Sequence, residues 1–143
     1  SEISDTVNMF LNLGILETEI RKYQSRPDLE GREQAHAPDY SFSAGLSWEI
    51  SNNVEFLLDI NGKSDFYYSD SHNNSSDDYI LTNMNLIYEK ENINLNFWIR
   101  NIFDEYYSLR GFYFGNEPPN FEDTLYERHG DPRNYGVTFR YDF

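Results

Sequence analysis

Between Tyr40 and Ile50 every second residue is apolar or aromatic: Tyr40, Phe42, Ala44, Leu46, Trp48 and Ile50 alternate with Ser41, Ser43, Gly45, Ser47 and Glu49. Successive side chains of an extended chain point to opposite faces, so this stretch has one greasy and one polar face, a period no helix matches. The pattern recurs along the chain. Val7, Met9, Leu11, Leu13 and Ile15 carry it within residues 6–20, where Asn, Gly and Thr depress the competing helix. Val54, Phe56, Leu58 and Ile60 carry it in a strand expected to run on to Phe66 and Tyr68. Ile80, Met84, Leu86 and Tyr88 form the next set, then Ile93, Leu95, Phe97 and Ile99 in a strand fading near Phe103. The last is Tyr135, Val137, Phe139, Tyr141 and Phe143. The expected fold is all-β, an antiparallel up-and-down meander of about six amphipathic strands.

The connections alternate in length. Residues 21–37, 69–78 and 104–130 are long and polar or irregular, whereas residues 51–53 and 90–92 are tight turns, the first with Asn suited to left-handed backbone angles. Tight turns at one end and long loops at the other describe a segment of a transmembrane β-barrel. The greasy face agrees with that reading. Trp48, Tyr88, Tyr141 and Phe143 fall near the tight-turn edge, and Tyr40, Phe42, Phe66, Tyr68, Phe103 and Tyr135 near the other. Leu46, Leu58, Met84, Leu86 and Leu95 lie between, and no charge falls on the central part of that face. Aromatic rings favour the two interfaces of a bilayer, and lipid tolerates no charge between them. Two rivals remain open: a soluble β-sandwich that binds carbohydrate through Trp48, Trp98 or loop tyrosines, and a small complete barrel.

Composition narrows the function. The net charge of −14 argues against nucleic acid, whose phosphates need a basic surface. Without cysteine there is neither a disulfide nor a thiolate metal site. No apolar run is long enough for a membrane-crossing helix, which does not bear on barrel strands. The start has no basic region followed by an apolar one.

No catalytic constellation emerges, and the chain is not expected to be an enzyme or to need a cofactor. His36, His72 and His129 fall in loops without a nucleophile nearby. Asp70, Asn74, Asp77 and Asp78 offer oxygen ligands but lack the spacing of a calcium loop, so a solvated loop is expected there. The loop at residues 104–130 is too rich in aromatics for a linker. Arg110, Phe112, Tyr113, Phe114 and Arg128 are the candidate contacts for a small-molecule ligand. Arg100 and Arg140 are expected on the polar face, paired with Asp59, Glu49, Glu89 or an external carboxylate.

Several stretches resemble a known family. Tyr135, Val137, Phe139, Tyr141 and Phe143 resemble the C-terminal assembly signal that the barrel-insertion machinery recognises in bacterial outer-membrane proteins. Trp98-Ile99-Arg100-Asn101-Ile102-Phe103-Asp104-Glu105-Tyr106-Tyr107 resembles the penultimate-strand motif of TonB-dependent receptors. Gly130-Asp131-Pro132-Arg133-Asn134-Tyr135-Gly136-Val137 resembles their entry to the last strand, and Gly31-Arg32-Glu33-Gln34-Ala35-His36-Ala37-Pro38 an upstream re-entry segment. The resemblance implies a barrel of about 22 strands. It also implies a plug domain and a TonB box, outer-membrane lipid as surroundings, and uptake of a scarce solute such as a ferric siderophore. Residues 1–143 contain neither plug nor TonB box, so the chain is expected to be the C-terminal quarter or so of such a receptor, reaching TonB only through a region outside it.

Overall fold

The structure, a computed structural model, describes residues 2–143, with side chains from Ser4 onward. Its strands are β1 (Glu2–Ser4), β2 (Val7–Ile15), β3 (Tyr40–Ser51), β4 (Val54–Lys63), β5 (Tyr79–Lys90), β6 (Ile93–Arg100), β7 (Ser108–Phe114), β8 (Thr124–His129) and β9 (Asn134–Tyr141). One antiparallel sheet runs in the order β1-β2-β3-β4-β5-β6-β9, and β7 with β8 forms a separate hairpin. The meander expected from the alternation is therefore present, with β1 added at one end.

Register puts the apolar positions on one face. Val7, Trp48, Phe56, Leu86, Phe97 and Val137 lie on one rung across β2, β3, β4, β5, β6 and β9. Met9, Leu46, Leu58, Met84, Ile99 and Tyr135 lie on another. The opposite face carries Asn8, Ser47, Leu57, Asn85, Trp98 and Gly136 on its own rung. Side chains on this second face bond to one another. Asp59 Oδ1 accepts from Asn61 at 2.8 Å and from Asn83 at 3.0 Å, and Glu55 Oε1 accepts from Ser47 Oγ at 2.8 Å.

Nothing among the described residues covers the apolar face. Leu11 is 74% exposed, Ile15 80% and Phe139 62%. The buried hydrophobic residues among those described are Leu29, Phe66 and Tyr68, and all of them lie in connections between strands. A β-sandwich must bury its inner faces between two stacked sheets. This sheet is a single layer, so the sandwich reading does not fit. The outermost strands β1 and β9 do not pair with each other, so the sheet also does not close into a small barrel by itself.

Some details differ from expectation. In the turn between β3 and β4, neither Asn52 nor Asn53 adopts a left-handed backbone. A register shift between Glu49 and Ser51 closes that hairpin instead, and Asn53 Nδ2 donates to the Glu89 carbonyl at 2.6 Å. The left-handed residue is Glu91, at φ 52°, between β5 and β6. The strand from Val54 stops at Lys63 rather than reaching Tyr68. Beyond it the chain folds back, with Phe66 N donating to Ser76 Oγ at 3.1 Å and Ser76 N to the Phe66 carbonyl at 2.9 Å. Phe66 and Tyr68 thereby turn away from the apolar face and become the most enclosed aromatics of the chain, so they are not girdle residues. The first and fifth strands also end early, at Ile15 and Arg100.

Candidate functional site

Because the sheet is an antiparallel meander, the connections at residues 16–39, 64–78 and 101–133 emerge at one end and the tight turns at the other. The three connections interlock into a cap. Arg32 is the rivet between the first two. Its guanidinium lies 4.1 Å from the Tyr67 ring centroid, donates to Asn73 Oδ1 at 3.0 Å, and donates to the Ser69 carbonyl. Ala35 N donates to Asp70 Oδ1 at 2.8 Å, and the His36 ring tilts against Phe66 at 5.4 Å. Phe66 in turn meets Tyr68 edge-on at 5.7 Å, an arrangement that suits the ring quadrupoles.

The third connection is tied at its root by Asn101. This residue is almost fully buried and left-handed, at φ 50°. Its Nδ2 donates to the Glu105 carbonyl at 2.9 Å and the Asp131 carbonyl at 3.2 Å, while its Oδ1 accepts from Glu105 N at 2.8 Å. Asp104 Oδ1 accepts from Arg133 N at 2.7 Å. A Cβ on Gly130 would sit 1.9 Å from the Tyr107 ring, so only glycine admits that ring. The two motifs around Asn101 and Gly130, far apart in sequence, are thus the two halves of one joint.

Between these roots stands the β7–β8 hairpin, which sequence reading left as irregular loop. Arg110 pairs with Arg128, Gly111 with Glu127, Phe112 with Tyr126, Tyr113 with Leu125 and Phe114 with Thr124. One face docks on residues 64–78. The Tyr68 ring fills the space a Cβ on Gly111 would need, 2.5 Å away, and the Tyr68 hydroxyl donates to Glu127 Oε1 at 2.6 Å. Burial, and then that bond, push the Tyr68 hydroxyl up to about 12. Tyr113 stacks flat on His72, with centroids 3.5 Å apart, and His72 Nε2 lies 3.5 Å from Asp123 Oδ2. Burial raises the Tyr113 hydroxyl above its ordinary range.

The other face is exposed, and it gathers most of the residues expected to contact a ligand. Arg110, Phe112, Phe114 and Arg128 share it, and Tyr126 joins them by stacking on Phe112 at 5.7 Å. The Tyr126 hydroxyl donates to Glu117 Oε1 at 2.9 Å, which raises its pKa. Tyr113 alone of the five candidates lies on the docked face. Arg110 and Arg128 are directly opposed and make no ion pair among the described residues, in a chain of net charge −14. Like charges placed opposite each other cost stability, so the pair is a local strain that an anionic group on this face would relieve. Phe112 and Phe114 remain about half exposed beside it. Together they can grip a ligand that is both anionic and flat.

Other candidates are placed differently from expectation. Arg140 is 3.3 Å from Asp142 and makes no ion pair with Glu49 or Glu89, and Arg100 makes none among the described residues. Asp59 is engaged by Asn61 and Asn83 instead. Asp70 caps Ala35 N, and the Asn74 carbonyl accepts from Tyr68 N. Sequence reasoning missed the pairing of Tyr68 with Glu127, which positions the hairpin. Gly111 was the available signal, a small residue in an aromatic run where another ring must approach.

No protein-family model matches the sequence. Solved structures do match. The siderophore receptor PiuA from Acinetobacter baumannii superposes with a TM-score of 0.79 at 13% identity, over 98% of this chain and 20% of that one. The ferric yersiniabactin uptake receptor FyuA from Yersinia pestis gives 0.81 at 16% identity, over 99% and 22%. The ferric citrate transporter FecA in its unliganded form gives 0.73 at 19% identity, over 97% and 21%. The chain therefore spans about a fifth of the length of these receptors. At such identities the likeness establishes the fold, which is the antiparallel all-β meander of TonB-dependent receptor barrels.

Proposed function

We propose that the chain is the C-terminal segment of a TonB-dependent outer-membrane receptor, a transporter and not an enzyme, that takes up a scarce solute such as a ferric siderophore. The observation that carries this reading is the single-layer sheet with an apolar face free of charge across its middle rungs, a hydrogen-bonded polar face and all long connections at one end. Lipid is the cover that such a face requires, and a hydrated lumen suits the other. Residues 1–143 contribute wall, cap and insertion signal. Plug and TonB contact belong to a region outside them.

In this reading Arg110, Phe112, Tyr113, Phe114 and Arg128 serve the ligand at the outer mouth. Arg110, Phe112, Phe114 and Arg128 touch it, and Tyr113 holds their hairpin in place through His72. Tyr135, Val137, Phe139, Tyr141 and Phe143 form the strand read by the barrel-insertion machinery. The test is to replace Phe112 and Phe114 by Ser in the full receptor. Surface expression should be unchanged while ligand affinity falls about tenfold or more, as expected for truncating exposed aromatic anchors. Unchanged affinity would remove the hairpin face from the ligand site.

A further inference from the structure

Asp59 lies midway along β4 on the polar face, with no cationic partner among the described residues. Opposite it on β3 is Gly45, which has no side chain to offer, so its bonds run along β4 and across to β5. Oδ1 accepts from Asn61 Nδ2 at 2.8 Å and from Asn83 Nδ2 at 3.0 Å. Asn83 is directly across from Asp59, and the other end of its amide is engaged as well. Its Oδ1 accepts from the backbone N–H of Asn101 at 3.0 Å. Asn101 follows β6 immediately, beyond the last rung that β5 and β6 share, so its amide meets a side chain rather than a strand. From there Asn101 holds Glu105 and Asp131, at the two roots of the connection that carries β7 and β8. Hydrogen bonds thus run unbroken from the wall of the sheet to the base of the hairpin.

The chemistry of the two ends fixes the amide between them. An ionised carboxylate only accepts, and a backbone N–H only donates. Asn83 satisfies both in one orientation, with Nδ2 to Asp59 and Oδ1 to Asn101. Turned over, it would set oxygen against oxygen and N–H against N–H. We infer that Asp59 is a positioning residue for the β7–β8 hairpin, acting through Asn83 on Asn101, so that the polar face of the sheet and the cap are coupled. The Asp59 end is the strong one, because hydrogen bonds to an ionised acceptor are about twice as strong as neutral ones. The Asn101 end is the sensitive one. Asn101 is almost fully buried and left-handed, and its side-chain amide is already occupied with both roots. Its backbone N–H therefore depends on Asn83, and a network of this kind is worth more intact than its separate bonds suggest. The inference concerns where the hairpin stands, and holds whether or not its exposed face meets a ligand.

Hydrogen exchange of single amides in the intact protein in detergent tests it. The reporters are the N–H groups of Asn101 and Glu105, whose bonds lie on the route. Asp59→Lys offers only donors, so it draws Asn83 Oδ1 to itself and leaves Nδ2 facing the Asn101 N–H. Exchange at both reporters should quicken about tenfold or more, as for loss of a hydrogen bond in a charged network. Asp59→Asn keeps the shape and an acceptor, so it should rescue most of that, with quickening of about two- to threefold. In an Asn83→Ala background neither substitution should add anything at the two reporters, because the link is already cut. Amides of β2 and β3 are the control and should not change. Should the lysine variant loosen them too, Asp59→Asn decides: quickening confined to the reporters supports the inference, and none there overturns it. Unchanged exchange at Asn101 and Glu105 in Asp59→Lys, or the same quickening without the Asn83 amide, would also overturn it.

Discussion

Tyr68 shows how one side chain can hold a cap together. It presses its ring against Gly111, its hydroxyl on Glu127 and its edge on Phe66. The ionised form has no place in that setting, so its pKa rises from 10.0 to about 12. A raised tyrosine pKa means that the folded state holds its proton more tightly than the unfolded chain does. The stabilisation is therefore fully present below pH 10.0 and is lost as pH rises through about 12. Following hairpin protection against protease across that window should show the loss, and Tyr68→Phe should flatten the slope. Some slope should persist in the variant, because Tyr113 and Tyr126 shift in the same direction.

At the scale of elements, the six long strands were legible because each keeps a strict period of two over a length a bilayer requires. The β7–β8 hairpin was not. Its sequence, Ser108-Leu109-Arg110-Gly111-Phe112-Tyr113-Phe114, does not alternate, and a register shift between Ser108 and Arg110 breaks the period further. Both its faces are used, one for docking and one exposed, so polarity cannot mark them. Phe66 and Tyr68 misled for the opposite reason. They continue the period of β4 by position, while the fold-back onto Ser76 takes them out of the sheet. The ligand candidates were found from residue type and loop richness alone, which is why Tyr113 was grouped with neighbours that point the other way. Asn101 governs whether the hairpin stands at all, because it binds both roots of its connection. Asn101→Ala leaves the Glu105 and Asp131 carbonyls and the Glu105 N–H without partners, and places Ala in a left-handed conformation. Thermal unfolding in detergent should report a loss of about 1–3 kcal/mol.

For the whole molecule, the decisive property is that its apolar surface is on the outside. A charge at the centre of that surface should be costly, and one on the opposite face should not. In the proposed membrane setting, Leu58→Arg, on the middle rung of β4, is expected to destabilise the protein by about 2–4 kcal/mol. Asn8→Arg, on the polar face of β2, should change stability little. Unfolding titrations in lipid vesicles compare the two, and equal effects would mean that lipid does not cover the apolar face.

The linear strand order has a consequence for time as well as shape. Each strand in the middle of the ladder has neighbours on both sides, whereas β9 is bonded along one side to β6 and presents its other row of amides to nothing in residues 2–143. Amide hydrogens at such a margin should trade with deuterium first, and those of β4 and β5 last, so that protection falls from the centre of the sheet towards its margins. Exchange followed by mass spectrometry on residues 1–143 alone, then on the longer receptor proposed above, reads this as a clock. Slowing confined to the β9 margin in the longer protein would locate the strand that closes the wall.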